Sequence, residues 1–143
     1  MADPPISAGP SLASSTTMLL IGAGRVAQRR LDHALSRHGL TLRHVGAMGH
    51  LARSPGLSYS DLARRARITP QSMHATMGQL TELGAVVTET RGRGTYPQLT
   101  EHGKQLLAVA AGVAATCDAE LGTDLGHLRA DLEIIARQAI SQD

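Results

Sequence analysis

The feature that most constrains this chain is a pair of short helices separated by a tight turn, between Ser58 and Gly84. Ser58 can cap a first helix, and Asp61 places a carboxylate in its first turn, where the helix dipole favours negative charge. Thr69 followed by Pro70 is typical of the start of a second helix, which Gly84 ends. The predicted buried side of that second helix is Met73, Met77, Leu80 and Leu83. The pattern predicts a helix-turn-helix.

The opposite face of the second helix is predicted to be exposed. It carries only small and polar side chains, which are Gln71, Ser72, His74, Ala75 and Gly78. Such side chains allow a helix to lie deep in the DNA major groove and to reach base edges.

A short hairpin is predicted directly after these helices. Residues 85–89 are rich in β-branched side chains, and residues 95–99 form the returning strand with Pro97 on an edge. The turn between them, Arg91-Gly92-Arg93-Gly94, is flexible and basic. A hairpin with a basic tip after a helix-turn-helix is a wing, whose arginines can enter the minor groove or contact phosphates.

Charge is unevenly distributed along the chain. The formal net charge is only +2, yet the stretch from Arg53 to Arg93 holds six basic and three acidic residues. This asymmetry favours an anionic partner for the middle third, with Arg64, Arg65 and Arg67 as candidate phosphate contacts. On charge alone, a solvated surface explains the same residues equally well.

A chain of 143 residues is expected to form one domain. Residues 1–15 are rich in Pro, Ala and Ser and are predicted to be a flexible tail. Residues 16–143 form the domain, with a lobe at 40–100 and flanking helices at 16–39 and 101–143. The helices are predicted at about 17–38, 42–52, from Thr100 onward, and 124–139. The predicted class is mainly α with a small β-hairpin, and the alanine-rich flanking helices predict a homodimer.

One segment supports a different interpretation. An apolar run at residues 16–21 leads into Gly22-Ala23-Gly24-Arg25-Val26-Ala27, which fits a dinucleotide-binding fingerprint. That motif also needs an acid about 20 residues further on, and none occurs between Asp32 and Asp61. The chain also lacks further strands for a parallel sheet. A nucleotide-cofactor protein using Gly22 and Gly24 therefore remains the alternative to a single helix.

Several functional classes lack the residues they need. The seven histidines form no metal-binding pattern, and no nucleophile has a recognisable triad context, so we expect neither a metal site nor an enzyme, and no cofactor. Phe and Trp are absent, which argues against base-stacking platforms for single strands. The single cysteine, Cys117, indicates a reducing compartment. No secretory signal or membrane span is predicted.

The order and spacing of these elements resemble the MarR-type transcriptional regulators. The most telling pieces are Leu62-Ala63, residues 69–72, Leu80 to Gly84 with Val86, and Leu99-Thr100 followed by Gly103. The resemblance covers Gly39 to Leu107. It implies a cytoplasmic winged-helix homodimer in a bacterium or archaeon, associated with the nucleoid when bound to DNA. It also implies binding to a palindromic operator, commonly as a repressor released by a small anionic aromatic ligand or by oxidation.

Residue roles follow from the elements and from this resemblance. The predicted DNA-facing residues are Ser58, Arg64, Arg65, Arg67, Thr69, Gln71, Ser72, His74, Ala75, Arg91 and Arg93. By family geometry alone, the candidate effector contacts are Arg25, His44 and Met48.

The chain departs from the family pattern at three positions. Arg91 stands where many members have an acid that pairs with the wing arginine, here Arg93, and Ala75 stands where many have arginine. Cys117 lies on a late helix rather than near the N-terminus, which argues against oxidation sensing. A winged helix used only for protein–protein assembly is a further alternative.

Overall fold

The protein is described by a computed structural model at residues 9–122 and 125–141. Over these residues it forms six α-helices and one antiparallel β-hairpin, which confirms the predicted class. The elements are α1 (Thr16–Ser36), α2 (Leu42–Arg53), α3 (Tyr59–Ala66), α4 (Pro70–Glu82), β1 (Val86–Arg91), β2 (Gly94–Leu99), α5 (Glu101–Leu121) and α6 (Gly126–Ile140).

The predicted helix ends in the central lobe are confirmed. The Ser58 hydroxyl accepts a hydrogen bond from the Asp61 N–H at 3.2 Å, and the Thr69 hydroxyl accepts one from the Ser72 N–H at 3.1 Å. Gly84 follows α4 with a φ of +73°, a left-handed conformation that glycine adopts without steric cost. These caps fix where α3 and α4 begin and end.

The core lies between α2, α3, α4 and the start of β1. Its fully buried side chains include Met48, Leu62, Met73, Met77 and Leu80. Leu83 was predicted to be buried with them, but 37% of it is exposed because it is the C-terminal cap of α4 rather than part of its inner face. Thr76 is buried instead, and its hydroxyl donates to the Ser72 carbonyl oxygen at 2.8 Å.

A close contact joins the hairpin to α5. Gly103 lies so near the preceding chain that an added Cβ would overlap the Ala85 carbonyl oxygen and lie 2.7 Å from Leu99 Cδ1. The Thr100 hydroxyl donates to the Gly84 carbonyl oxygen at 2.6 Å and accepts from the Gly103 N–H at 3.0 Å. The end of α4, the wing and α5 are therefore held at one junction.

The dinucleotide-binding alternative is wrong about local structure. Gly22 and Gly24 lie inside α1, which is a continuous helix from Thr16 to Ser36. The fingerprint needs a strand followed by a turn at these residues, so that its backbone amides can face a pyrophosphate. Inside a helix those amides are used by helical hydrogen bonds instead.

Part of the predicted N-terminal tail forms a helical turn. Leu12–Ser14, placed in the tail, form a short 3-10 turn, and Ser15 caps α1. Residues 1–8 of the predicted tail lie outside the described residues, as does Asp124, the predicted start of the last helix. No helix within the described residues is long and apolar enough to cross a membrane.

Candidate nucleic-acid interface

The exposed face of α4 is formed as predicted. Gln71, His74, Ala75 and Gly78 are exposed, whereas Met73 and Met77 on the same helix are fully buried. The exposed set recurs at three- and four-residue intervals and therefore lies along one side of the helix. An added Cβ at Gly78 would meet no atom within 4 Å. The helix thus presents a narrow surface with two polar side chains.

Three residues of the predicted DNA-facing set take part in helix-capping hydrogen bonds. Ser58 and Thr69 use their hydroxyls to accept backbone N–H groups at the starts of α3 and α4. The Thr69 hydroxyl also donates to the Ser72 hydroxyl oxygen at 3.0 Å. These residues therefore position α3 and α4, and Ser72 is only half-exposed.

The Ser58 cap also affects the acid in the first turn of α3. The Ser58 hydroxyl donates to Asp61 Oδ2 at 2.9 Å. This hydrogen bond is the main cause of a lowered Asp61 pKa, and Arg64 contributes in the same direction. The carboxylate stays charged near the helix N-terminus, where its charge is stabilising.

The arginines of α3 have partners within the lobe. Arg64 forms an exposed ion pair with Asp61, and Arg65 Nη1 donates to Ser54 Oγ at 2.8 Å. Arg67 ends α3 in a left-handed conformation, with a φ of +54°. All three are exposed, so they form a basic edge beside the turn that leads into α4.

The wing is a hairpin with a two-residue turn. Arg91 pairs with Gly94 in the register, so Gly92 and Arg93 form the turn. Gly92 has a φ of +58° and Arg93 does not have a positive φ, as in the type II′ turns favoured by hairpin twist. The exposed Arg93 therefore lies at the tip of the wing.

The other wing arginine makes contacts within the hairpin. Arg91 Nη2 lies 3.2 Å from Glu89 Oε2, and the Arg91 guanidinium lies 5.2 Å from the centre of the Tyr96 ring. Glu89 thus pairs with Arg91 and does not take the place of the family acid, whose partner would be Arg93. The two wing arginines therefore differ, since Arg91 is engaged along the hairpin and Arg93 lies at its tip.

One contact to α4 was missed by the sequence analysis. The Tyr59 ring, at the start of α3, packs edge-on against the His74 ring, with centroids 4.9 Å apart and planes at 70°. The scarcity of aromatic residues was a possible signal, since Tyr59 and Tyr96 are the only two in the chain. Both lie against a side chain of the predicted DNA-facing set.

The predicted effector residues differ in their exposure and in their contacts. Arg25 is exposed on α1, whereas Met48 is fully buried in the core. His44 Nδ1 accepts the Thr41 N–H at 3.2 Å, so Nε2 carries the proton and donates to Gln79 Oε1 at 2.6 Å. His44 therefore caps the start of α2 through Nδ1 and joins α2 to α4 through Nε2. Their role as effector contacts stays a prediction.

A groove of about 720 Å³ lies beside these residues, and its lining does not include them. It is formed by side chains from α1, α2, the turn after α3, and α4. Its polar lining includes Gln28, Asp32, Arg43, His50 and Gln79, and its apolar lining includes Leu40, Ala47, Ile68 and Met73. Asp32 Oδ1 accepts the Leu42 N–H at 3.0 Å, and Arg43 adds a guanidinium to the lining.

His50 links this groove to the basic edge. Burial is the main cause of its lowered pKa, and the charges of Arg53 and Arg65 act in the same direction. The ring is therefore neutral at physiological pH. It contributes polarity to the groove without adding charge.

Comparisons with known proteins agree with this arrangement. The family model described as MarR family matches residues 38–94. The HTH-type transcriptional repressor Rv2887 of Mycobacterium tuberculosis is 37% identical over 106 residues, which cover 72% of this chain and 76% of that protein. The crystal structure of Rv2887 matches with a TM-score of 0.67 and 32% identity, over 91% of this chain and 94% of that chain.

Two further structures extend the comparison. Rv2887 in complex with DNA matches with a TM-score of 0.67 and 31% identity, over 90% of this chain and 97% of that chain. A MarR family regulator from Rhodococcus sp. RHA1 matches with a TM-score of 0.78 over 91% of this chain and 94% of that chain, but it is only 19% identical and shows the fold alone. The extent and identity of the match to Rv2887, together with the family model over the winged helix, show that this chain belongs to the MarR family.

Proposed function

We propose that this protein is a DNA-binding transcriptional repressor that acts as a homodimer on a palindromic operator. The observation that carries the proposal is the exposed face of α4, which is capped at both ends and flanked by a basic wing. A narrow helix face with Gln71 and His74 suits insertion into the major groove. The relative Rv2887 has been solved in complex with DNA, which supports the same role here.

The proposed residue roles divide into three groups. Gln71 and His74 contact base edges, while Ala75 and Gly78 allow close approach of the helix. Arg64, Arg65 and Arg67 contact phosphates on one side of α4, and Arg93 contacts phosphates or the minor groove on the other. Ser58, Thr69, Ser72 and Arg91 act mainly by positioning these groups, as their contacts within the lobe indicate.

The homodimer uses the helices outside the winged lobe. In this proposal residues 40–100 are the DNA-binding lobe, and residues 16–39 and 101–143 provide the dimer interface. α6 has no buried residue in the single chain, yet it carries Leu128, Leu132, Ile134 and Ile135. Two copies would place their α4 helices in successive major grooves, with half-sites about 34–36 Å apart on one face of the DNA.

Release by a small ligand fits the groove between α1, α2 and α4. Its wall includes Met73 and Gln79 of α4 together with Gln28 and Asp32 of α1. A ligand that binds one arrangement of these helices better than another would change the orientation of α4. Rv2887 has also been solved with salicylic acid, and Arg43 offers this groove a cation for a similar small aromatic anion.

This function is regulatory rather than enzymatic, and it places the protein on the nucleoid in the cytoplasm of a bacterial cell. The two alternatives make different predictions. A module used only for protein assembly needs no DNA contact at Arg93. A nucleotide-binding protein would bind a nicotinamide cofactor with saturation.

The test is a salt series of binding to a duplex from the promoter beside the gene, with a random duplex as the reference. We expect the wild type to prefer the promoter duplex and to lose affinity steeply with salt. Arg93→Glu should weaken binding to both duplexes and lower the salt slope by about 1.

The matched control, assayed without ligand, is Arg43→Glu, the same charge change at an exposed position of α2 outside the DNA-facing set and the proposed dimer helices. It should leave binding close to that of the wild type. Equal binding of the wild type to both duplexes, or an unchanged salt slope for Arg93→Glu, would contradict the proposal.

A further inference from the structure

Tyr59 lies where α3 meets α4. It is the first residue of α3, and its half-buried ring packs against the core. Its ring contacts the His74 ring of α4 edge-on, at 4.9 Å between centroids. A residue of α3 therefore contacts a side chain on the exposed face of the helix that is proposed to enter the major groove.

His74 has few other constraints on its orientation. It is exposed on α4, and its ring has no hydrogen-bond partner among the described residues. An exposed side chain with no partner samples several rotamers, and ordering it on binding costs entropy. Edge-to-face packing against Tyr59 reduces that freedom before DNA arrives.

The phenol of Tyr59 is uncharged when it contacts His74. Burial raises the Tyr59 pKa, so the hydroxyl stays protonated under physiological conditions. The His74 ring therefore packs against a neutral aromatic partner that the core holds in place.

We propose that Tyr59 is a positioning residue for base readout, which holds the His74 ring toward the major groove. The proposal rests on the proposed function, because it assumes that His74 contacts a base. It goes further by assigning a determinant of sequence preference to a residue on α3 that does not itself contact DNA.

A purely structural role for Tyr59 makes a different prediction. If the ring only fills space at the edge of the core, its removal lowers stability without changing the preference for one DNA sequence over another. If it positions His74, its removal lowers that preference only while His74 is present. A double-mutant cycle separates these two cases.

The experiment measures affinity for two duplexes, one selected by the wild type from a random-sequence pool and one with the same composition in scrambled order. The variants are Tyr59→Leu, His74→Ala and the double variant, with unfolding followed in parallel. We expect Tyr59→Leu to reduce the ratio of selected to scrambled affinity by about fivefold, the size of an edge-to-face aromatic contact. In the His74→Ala background the same substitution should leave the ratio unchanged.

One conservative variant and one matched control complete the experiment. Tyr59→Phe keeps the ring and loses the hydroxyl, so it should restore most of the ratio. Tyr96→Leu is the matched control, because Tyr96 is the other tyrosine of the lobe and contacts Arg91 instead of His74. It should show no coupling to His74→Ala.

A measurement without DNA keeps the two proposals separable. The Tyr59 ring should shift the His74 proton resonances in the free protein, and Tyr59→Leu should abolish that shift. If the shift is present but the wild type binds both duplexes equally, the proposed function fails and the base-readout role fails with it. If the wild type discriminates and Tyr59→Leu discriminates equally well, only the positioning role is overturned.

Discussion

The winged lobe and the helices that flank it differ in how they bury apolar side chains. Within the described residues, all the buried hydrophobic residues except Leu35 and Ala110 lie between residues 40 and 100. The large exposed hydrophobic residues of the described part of the chain lie mostly in the flanking helices, and only Leu83 and Val87 of that group lie in the lobe. The lobe completes its core within one chain, whereas the flanking helices leave an apolar surface to be covered.

This difference matches the roles proposed for the two regions. A lobe with its own core can present α4 and the wing rigidly, because few of its side chains depend on a second molecule. Helices with exposed apolar faces gain most of their stability when a second copy covers those faces. The two regions should therefore respond differently to mutation and to protein concentration.

The largest expected effect is on the core of the lobe. Leu62 is fully buried on α3, and Leu62→Ala should lower the free energy of unfolding by about 2–5 kcal/mol. The loss should be the same at every protein concentration. The matched control is Leu132→Ala on α6, where 39% of the leucine is exposed. If that control costs as much at high dilution as Leu62→Ala does, the contrast between the regions is wrong.

The next largest expected effect is the dissociation of the dimer by a charge on the flanking helices. Ile135 is 46% exposed on α6, and Ile135→Asp should place a charge in the dimer interface and separate the two copies. Sedimentation should then give the mass of one chain, and the melting temperature should stop rising with concentration. Ala130→Asp adds the same charge near Glu133 and Arg137, on the polar side of α6, and should leave the dimer intact. A dimer that survives Ile135→Asp would contradict the interface proposed here.

The smallest expected effect is a pH-dependent loss of stability at the start of α3 in the lobe. The lowered Asp61 pKa means that its charged form stabilises the folded state above the ordinary value of 3.8. Asp61→Asn should therefore be less stable than the wild type near neutral pH. The difference should narrow as the pH falls below 3.8 and vanish below the folded pKa. Urea unfolding across this pH range measures the difference in stability, with Asp118→Asn on α5 as the control. A difference that persists in acid would contradict a stabilising role for the charged Asp61 beside Ser58.

The agreement between sequence and structure depends on how far apart in the chain the contacting residues lie. The caps at Ser58, Thr69 and Gly84 were predicted because each depends on residues within four positions along the chain. The exposed face of α4 was predicted because helical spacing alone separates Gln71 and His74 from Met73 and Met77. The contacts that were not predicted join residues far apart in the chain. His44 is hydrogen-bonded to Gln79, which is 35 positions away, and no local pattern indicates that pairing.

The wing shows both outcomes within a few residues. Its hairpin and basic tip follow from β-branched residues around a glycine-containing turn. The separation of Arg91 from Arg93 does not, because it depends on the strand register, on Glu89 beside Arg91, and on the Tyr96 ring beneath the guanidinium. Side-chain partners across a hairpin are set by register, which the turn fixes only once it has formed.

By itself, the sequence determined the helices of the winged lobe, their caps, the hairpin and the face of α4, because these depend on spacing and on short-range hydrogen bonds. Only the tertiary structure decided which polar side chains are used internally and which remain available. The Tyr59 ring packs against the His74 ring, and the His44 ring is hydrogen-bonded to Thr41 and Gln79. A groove lies where α1, α2 and α4 meet. The physical reason is that these contacts join residues far apart in the chain, so they exist only after the helices have packed.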